Sequence, residues 1–253
     1  TFTNFIYALR SVEGGKKTEY PDLFTELQKI AVLQSVKSSN AIEGILATDK
    51  RLREIVDQNS APLNHNEREI AGYRDALNMI HSKNEEMNFS EELTLELHRV
   101  MLAQTGRTYG GKYKEADNVI REVHTDGTSY VRWTPVSAKD TPKAMEQFFL
   151  AYMDARDDSG IDNLLLIPCV ILDFLCIHPF SDGNGRLSRL LSLLLLYKAG
   201  FDIPKYVSFE EKINKEKGSY YEALKLSSYG WHDNDNDYVP FIKNFLFTLF
   251  LCS

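Results

Sequence analysis

The stretch HPFSDGNGRLSR, residues 178–189, decides how this chain is read. It places a histidine, an aspartate, two glycines, an asparagine and two arginines within twelve positions. Before it runs NLLLIPCVILDFLCI (163–177), and its second half continues into an apolar run that ends near residue 199. The pattern predicts a buried helix that delivers His178 at its end, a tight SDGNG loop, and a second helix from Asn184. Gly183 and Gly185 let the backbone turn sharply and let a ligand come close. The second helix opens with free N–H groups at the positive end of its dipole, which is an anion site. Arg186 and Arg189 lie three apart, so they share a face near that end. Each offers a planar fork suited to a polyphosphate; a pair of solvated surface charges is the alternative. Asp182 has two readings: a carboxylate that holds Mg²⁺ against phosphate oxygens, or an N-cap. His178 is the nearby group that titrates near neutrality, so it is the natural general base; a structural histidine is the alternative. Together the residues point to metal-assisted transfer from a nucleotide to a nucleophile.

The rest of the chain sets the frame. Its 253 residues are 43% hydrophobic and 26% charged, a globular composition. The length suits one large domain or a core with an attached subdomain. A net charge of −7 argues against a broad nucleic-acid surface. Cys169, Cys176 and Cys252 show no metal-binding spacing. The first two lie in apolar runs and are expected to be buried thiols. An odd cysteine count and no visible leader fit a cytoplasmic protein. Asp173, His178 and Arg189 interrupt the longest apolar runs, so no membrane span is expected.

Helical periodicity runs through 21–44, 66–82, 90–103, 141–156, 162–177, 184–199 and 239–252. One region differs: VIREV (119–123) and SYVRW (129–133) flank TDG, which reads as strand, turn, strand around Asp126-Gly127. The expected fold class is therefore all-α with a single β-hairpin.

Residues 178–189 resemble the signature of the Fic family, HPFxDGNGRxxR, at every fixed position. The helix–loop–helix setting and the upstream hairpin resemble the Fic core over residues 90–230. The resemblance implies a protein adenylyltransferase. Such an enzyme moves AMP from ATP to a Ser, Thr or Tyr hydroxyl and releases pyrophosphate. It implies that His178 takes the hydroxyl proton, Phe180 anchors the loop, and Asp182 holds Mg²⁺. Gly183, Asn184 and Gly185 would line the anion hole, Arg186 would meet the β-phosphate region, and Arg189 the γ-phosphate. Glycine at position 185 separates this loop from the bulkier, lysine-containing loop of the kinase-like death-on-curing branch. The hairpin, about 117–134, would be the flap that aligns the target by strand addition, with Val119 and Ile120 as its apolar clamp. Lys114 stands where many members carry arginine. Tyr220 and Tyr221 resemble the aromatic pair beside the adenine, although helix packing explains either tyrosine equally well.

A second motif, SSNAIEG (38–44), ends the first long helix. A carboxylate there opposes the helix dipole and calls for a cation. Lys37 or solvent is one answer. The other follows from the resemblance: Ser39-x-x-x-Glu43-Gly44 matches the family's inhibitory motif, (S/T)xxxE(G/N). In that subfamily the glutamate pairs with the second signature arginine, which here is Arg189, and leaves ATP unproductively bound.

The expected organisation is an N-terminal region over 1–89 carrying the inhibitory helix (about 22–44). A Fic core follows over 90–230, and a C-terminal helix over 231–253 that leads toward a further domain. The expected function is autoinhibited protein adenylylation. The alternatives are AMP removal by the same site, or a nucleotide-sensing interaction module. ATP and Mg²⁺ are the expected substrate and cofactor. The expected partners are a protein target, the chain itself through automodification, and a second copy in a homo-oligomer. DNA enters only through an additional C-terminal domain.

Overall fold

The structure, a computed structural model, describes residues 2–123 and 127–253. Asp126 of the expected turn lies outside the described residues. Helices α1 (Phe2–Glu19), α2 (Pro21–Ile42), α3 (Asp49–Asp57), α4 (His65–Lys83) and α5 (Glu91–Leu102) precede a hairpin of β1 (Ile120–Val123) and β2 (Ser129–Trp133). Helices α6 (Thr141–Asp157), α7 (Asn163–Ile177), α8 (Asn184–Lys198), α9 (Phe209–Lys215), α10 (Lys217–Ser228) and α11 (Val239–Cys252) follow. The all-α class with one antiparallel hairpin is what the sequence pattern required. Helices α1, α3, α9 and α10 were not among the segments read from periodicity. No helix among the described residues is long and apolar enough to cross a membrane.

Helix α8 is the axis of the bundle. Leu187, Leu190, Leu191, Leu193, Leu194 and Leu196 are all fully buried, and so are Arg186, Ser188, Arg189 and Ser192, so the helix is enclosed around its whole circumference, with its polar residues concentrated in the first half. It packs against α7, which enters from the other side of the signature loop. The loop is thus pinned between two buried helices. Phe180, also fully buried, plugs the loop into the core. Truncating such a residue to alanine costs about 3–5 kcal/mol.

Helix α2 lies against α4 and α9. A buried polar knot fixes it there. The Glu210 carboxyl accepts from Tyr73 Oη at 2.9 Å and from Ser35 Oγ at 2.8 Å, which ties α2, α4 and α9 together. Burial pushes this carboxyl above its usual range. Helix α2 stops at Ile42, two residues before the predicted end. Glu43 is its C-cap, and Gly44 takes the left-handed φ of +77° that ends many helices. Of the thiols, Cys176 and Cys252 are buried, whereas Cys169 is half-buried, a correction to its expected full burial.

The hairpin is anchored at its base. Trp133 Nε1 donates to the Cys176 carbonyl at 2.9 Å. Lys114, itself buried, donates through Nζ to the His178 carbonyl at 3.0 Å and to Asn118 Oδ1 at 2.9 Å. Burial lowers its pKa to about 8. Asn118 Nδ2 reaches the Phe180 carbonyl at 3.2 Å. The lysine at this position therefore joins the hairpin to the signature loop.

Candidate active site

The loop conformation follows from its residues. His178 caps α7 in the left-handed region, at φ 51° and ψ 60°. Such a φ is uncommon for a non-glycine residue and turns the chain sharply out of the helix. Asn184 then closes the loop: its Oδ1 accepts from the Phe180 N–H at 2.9 Å, and its Nδ2 donates to the Phe180 carbonyl at 2.8 Å. Gly183, at φ +81°, begins α8 as its N-cap. The left-handed φ is what calls for glycine at 183; a Cβ there would come within 2.7 Å of Met101 Cε, the mobile end of a methionine that would have to turn aside.

His98 clamps the loop from α5. Its ring stacks on Phe180 with centroids 3.8 Å apart. The Gly111 N–H donates to Nδ1 at 3.0 Å, which leaves the proton on Nε2 to bond the Asp182 carbonyl at 3.0 Å. Desolvation lowers the His98 pKa to about 4, so this neutral tautomer persists at neutral pH.

His178 is also held neutral. Burial, then the nearby Lys114 cation, lowers its pKa to about 4. A neutral imidazole bordering the cavities has a lone pair with which it can accept a proton.

Asp182 does not cap α8. The helix has no side-chain cap, and among the described residues Asp182 Oδ1 accepts from the adjoining Gly183 N–H. The other carboxylate oxygen pairs with Arg107. Arg107 in turn lies 3.4 Å from Glu69 and 3.2 Å from His65 Nε2. Glu69 is buried and makes a 2.6 Å ion pair with Arg186. One carboxylate thus orders two arginines below the loop. Neither signature arginine is a solvated surface charge: Arg186 and Arg189 are each 2% exposed. Arg186 is a buried strut on Glu69, so the sequence picture of two open forks at the helix start holds for neither residue.

Arg189 is covered by the end of α2. Its Nε donates to Ser39 Oγ at 2.8 Å, and its Nη2 to the Ser39 carbonyl at 2.9 Å and to Glu43 Oε1 at 2.7 Å. Lys37, the alternative partner for Glu43, is paired instead with Asp49 at 2.6 Å. Glu43 is stacked over Gly185, where an added Cβ would strike its carboxylate.

Two cavities meet at this point. A mostly apolar one of about 140 Å³ is lined by Tyr220, Tyr221, Leu175, Trp133 and Arg132. A polar one of about 350 Å³ is lined by Asp182, Gly183, Asn184, Arg186, Arg107 and His65. Glu43, His178 and Gly185 border both. The Glu43 side chain stands at their junction. Tyr220 is buried against Phe241 as well as facing the apolar cavity, and Tyr221 is half-buried beside it. Ile120 also borders this cavity, whereas Val119 precedes β1 and is 45% exposed.

The sequence reading missed Glu69, Arg107, His65 and His98. Only His98 had a local signal, a histidine on the apolar face of α5. The donor set at Asp182 fits a Mg²⁺ ion that arrives with a polyphosphate. One half-exposed carboxylate faces the polar cavity, and phosphate oxygens and water supply the remaining ligands in such sites. Among the described residues there is no cluster of three or more His, Cys, Asp or Glu that would hold a metal by itself.

The chain is similar to known proteins in sequence and in fold. Residues 88–196 match the Fic/DOC family. The chain is 28% identical over 224 residues to a protein adenylyltransferase Fic of Nematostella vectensis, covering 85% of this chain and 46% of the relative. The corresponding protein of Drosophila ananassae is 28% identical over 225 residues, with 85% and 40% covered. The chain thus spans less than half the length of these curated relatives. Among solved structures, a Fic family protein from Desulfovibrio desulfuricans superposes with a TM-score of 0.74 at 21% identity, covering 98% of this chain and 71% of that one. A Fic domain containing signaling protein from Bacteroides thetaiotaomicron gives 0.75 at 20% identity, with 100% and 95% covered. The fold is the Fic fold.

Proposed function

We propose that this chain, through the segment that matches the Fic/DOC family, is a protein adenylyltransferase restrained by its own α2. The observation that carries the reading is the meeting of three groups at the junction of the two cavities. They are a neutral His178, the glycine-bounded N-terminus of α8, and Arg189 under the Glu43 carboxylate. The curated relatives named protein adenylyltransferase Fic support the same reaction class.

In this reading the adenine enters the apolar cavity beside Tyr220 and Tyr221, and the phosphates lie over the Gly183–Gly185 turn. The target hydroxyl oxygen bonds to the α-phosphorus as the bond to the bridging oxygen of the β-phosphate breaks. His178 takes the hydroxyl proton, and pyrophosphate leaves. The N–H groups at the start of α8 face the charge that develops on the α-phosphate. Asp182 would hold Mg²⁺, which would supply positive charge to the phosphates. Arg107 holds that carboxylate in its absence. Arg189 grips the γ-phosphate once Glu43 lets go.

Glu43 supplies the restraint. Its bond to Arg189 is charge-assisted, a class worth about 1.5–3 kcal/mol. A γ-phosphate competing for Arg189 must displace it. The test is His178→Ala, assayed with ATP labelled on the α-phosphate in a Glu43→Gly background. Transfer should fall by about 10²-fold or more while nucleotide binding persists. Transfer within threefold of the parent would remove His178 from the role of base.

A further inference from the structure

A third cavity, of about 630 Å³, lies between the hairpin and α10. It shares Ile120, Arg132 and Tyr221 with the apolar cavity that His178 borders. A chain segment that presents a hydroxyl to His178 would have its neighbouring residues close to this groove. Four cations line it, Arg121, Arg132, Lys217 and Lys225, against two carboxylates, Glu122 and Glu222. That balance is opposite to the chain's net charge of −7.

The charges are also unequally committed. Glu122 accepts from Tyr130 Oη at 2.7 Å, and Lys217 donates to the Ile42 carbonyl at the end of α2 at 2.6 Å. None of the ion pairs among the described residues involves Arg121, Arg132 or Lys225. The position of Arg132 has a cause in the backbone. The β1–β2 register runs Ile120 opposite Trp133 and then Arg121 opposite Val131, so Arg132 is the extra residue of a β-bulge. Bulges re-aim a side chain beside a site. This one puts a guanidinium on the wall common to both cavities.

Resting on the reading of the site as an adenylyltransferase, we infer that this groove selects protein targets carrying acidic residues next to the modified hydroxyl. Arg132 meets the carboxylate nearest the transfer point, and Arg121 and Lys225 meet those farther out. Exposed pairs of this kind contribute about fivefold each at most, so selectivity comes from several acting together. They act on encounter and binding more than on the chemical step.

The experiment compares three hydroxyl-containing peptides of one sequence, with flanking residues Asp and Glu, their amides Asn and Gln, or Lys. Transfer is measured with α-labelled ATP and the Glu43→Gly variant. Binding is measured separately with the wild-type chain by fluorescence anisotropy of labelled peptides. The acidic peptide should show a KM about tenfold below its amide counterpart, with kcat similar, and the gap should shrink at 0.5 M salt. The double variant Arg121→Glu, Lys225→Glu should lose the preference or reverse it toward the Lys peptide, with nucleotide affinity by calorimetry unchanged. Acidic and amide peptides that transfer and bind equally, or a preference that survives the charge reversal, would overturn the inference. Absence of transfer to every peptide and to the chain itself would strike the adenylyltransferase reading instead. The binding arm would still decide whether acidic peptides are preferred.

Discussion

The Glu43 carboxylate and the bare Cα of Gly185 share one small volume: a methyl group on Gly185 would run into Oε1 of Glu43. The same oxygen accepts from Arg189 Nη2 at 2.7 Å. Glycine at 185 therefore leaves open space over the start of α8, and in this state the Glu43 carboxylate occupies that space.

The two residues should be energetically coupled. Gly185→Ala should push Glu43 off Arg189 and destabilise the chain by about 1.5–3 kcal/mol, the worth of a hydrogen bond between charged groups. In a Glu43→Gly background the same change should cost little, because the obstructed atoms are gone. A double-mutant cycle by denaturant unfolding measures this coupling. Additive effects would mean that Glu43 has space elsewhere and does not depend on the glycine.

Arg107 should set how strongly binding depends on divalent cations. It neutralises Asp182 and shares Glu69 with Arg186. In Arg107→Gln, Asp182 loses its internal cation, so ATP binding in EDTA should weaken by about tenfold while binding with Mg²⁺ changes less. Calorimetry with and without the metal gives both constants. Equal weakening in both conditions would make Arg107 a phosphate ligand only.

Asp182→Asn separates the two sequence readings of that residue. Asparagine caps helices as well as aspartate does, and the structure uses no cap there. The melting temperature should therefore hold within a few degrees, while Mg²⁺-dependent transfer falls by about 10²-fold or more. Asn-variant activity equal to wild type would remove Asp182 from metal binding.

Acid should unfold this chain early. His81, His98 and His178 are each lowered to about 4, with desolvation the largest cause. In the unfolded chain they titrate near 6.5. Between those values the unfolded state binds more protons, so stability rises with pH through that window and is lost as pH falls from about 6.5 to 4. Each histidine contributes on the order of 1 kcal/mol per pH unit there. Replacing His98 with Gln should flatten the slope of stability against pH. A slope unchanged in that variant would mean that His98 is not held neutral by burial.

How much of this was legible in the sequence follows from the range of the contacts. The signature loop could be read because its parts are local: a helix end, a glycine turn and a helix start within twelve residues. The end of α2 could be read because Ser39-x-x-x-Glu43-Gly44 resembles a family motif; a helix-end carboxylate by itself left Lys37 or solvent as its partner. Glu69 and Arg107 could not. Glu69 is 117 residues from Arg186 and Arg107 is 75 from Asp182, and their roles exist only once α4 and the segment after α5 pack beneath the loop. Both look like ordinary surface charges in sequence. The bulge at Arg132 was hidden for a related reason. SYVRW alternates well enough to read as a plain strand, and only pairing with β1 exposes the extra residue. Helix α3 was missed because its short run is dominated by charged residues, with Leu52 and Ile55 as its buried anchors.

The most direct measurement compares the transfer of labelled AMP from α-labelled ATP by the wild-type chain, Glu43→Gly, and Glu43→Gly combined with Arg189→Ala. Labelling by the wild type should be weak and should rise by about tenfold or more in Glu43→Gly, because Arg189 is then free for the γ-phosphate. The double variant should return to background. Thermal melting should show a larger stabilisation by Mg·ATP in Glu43→Gly than in the wild type. A Glu43→Gly variant that labels no faster than wild type and gains no extra stabilisation would contradict the account, and would leave Glu43 as a helix-end carboxylate that happens to rest on Arg189.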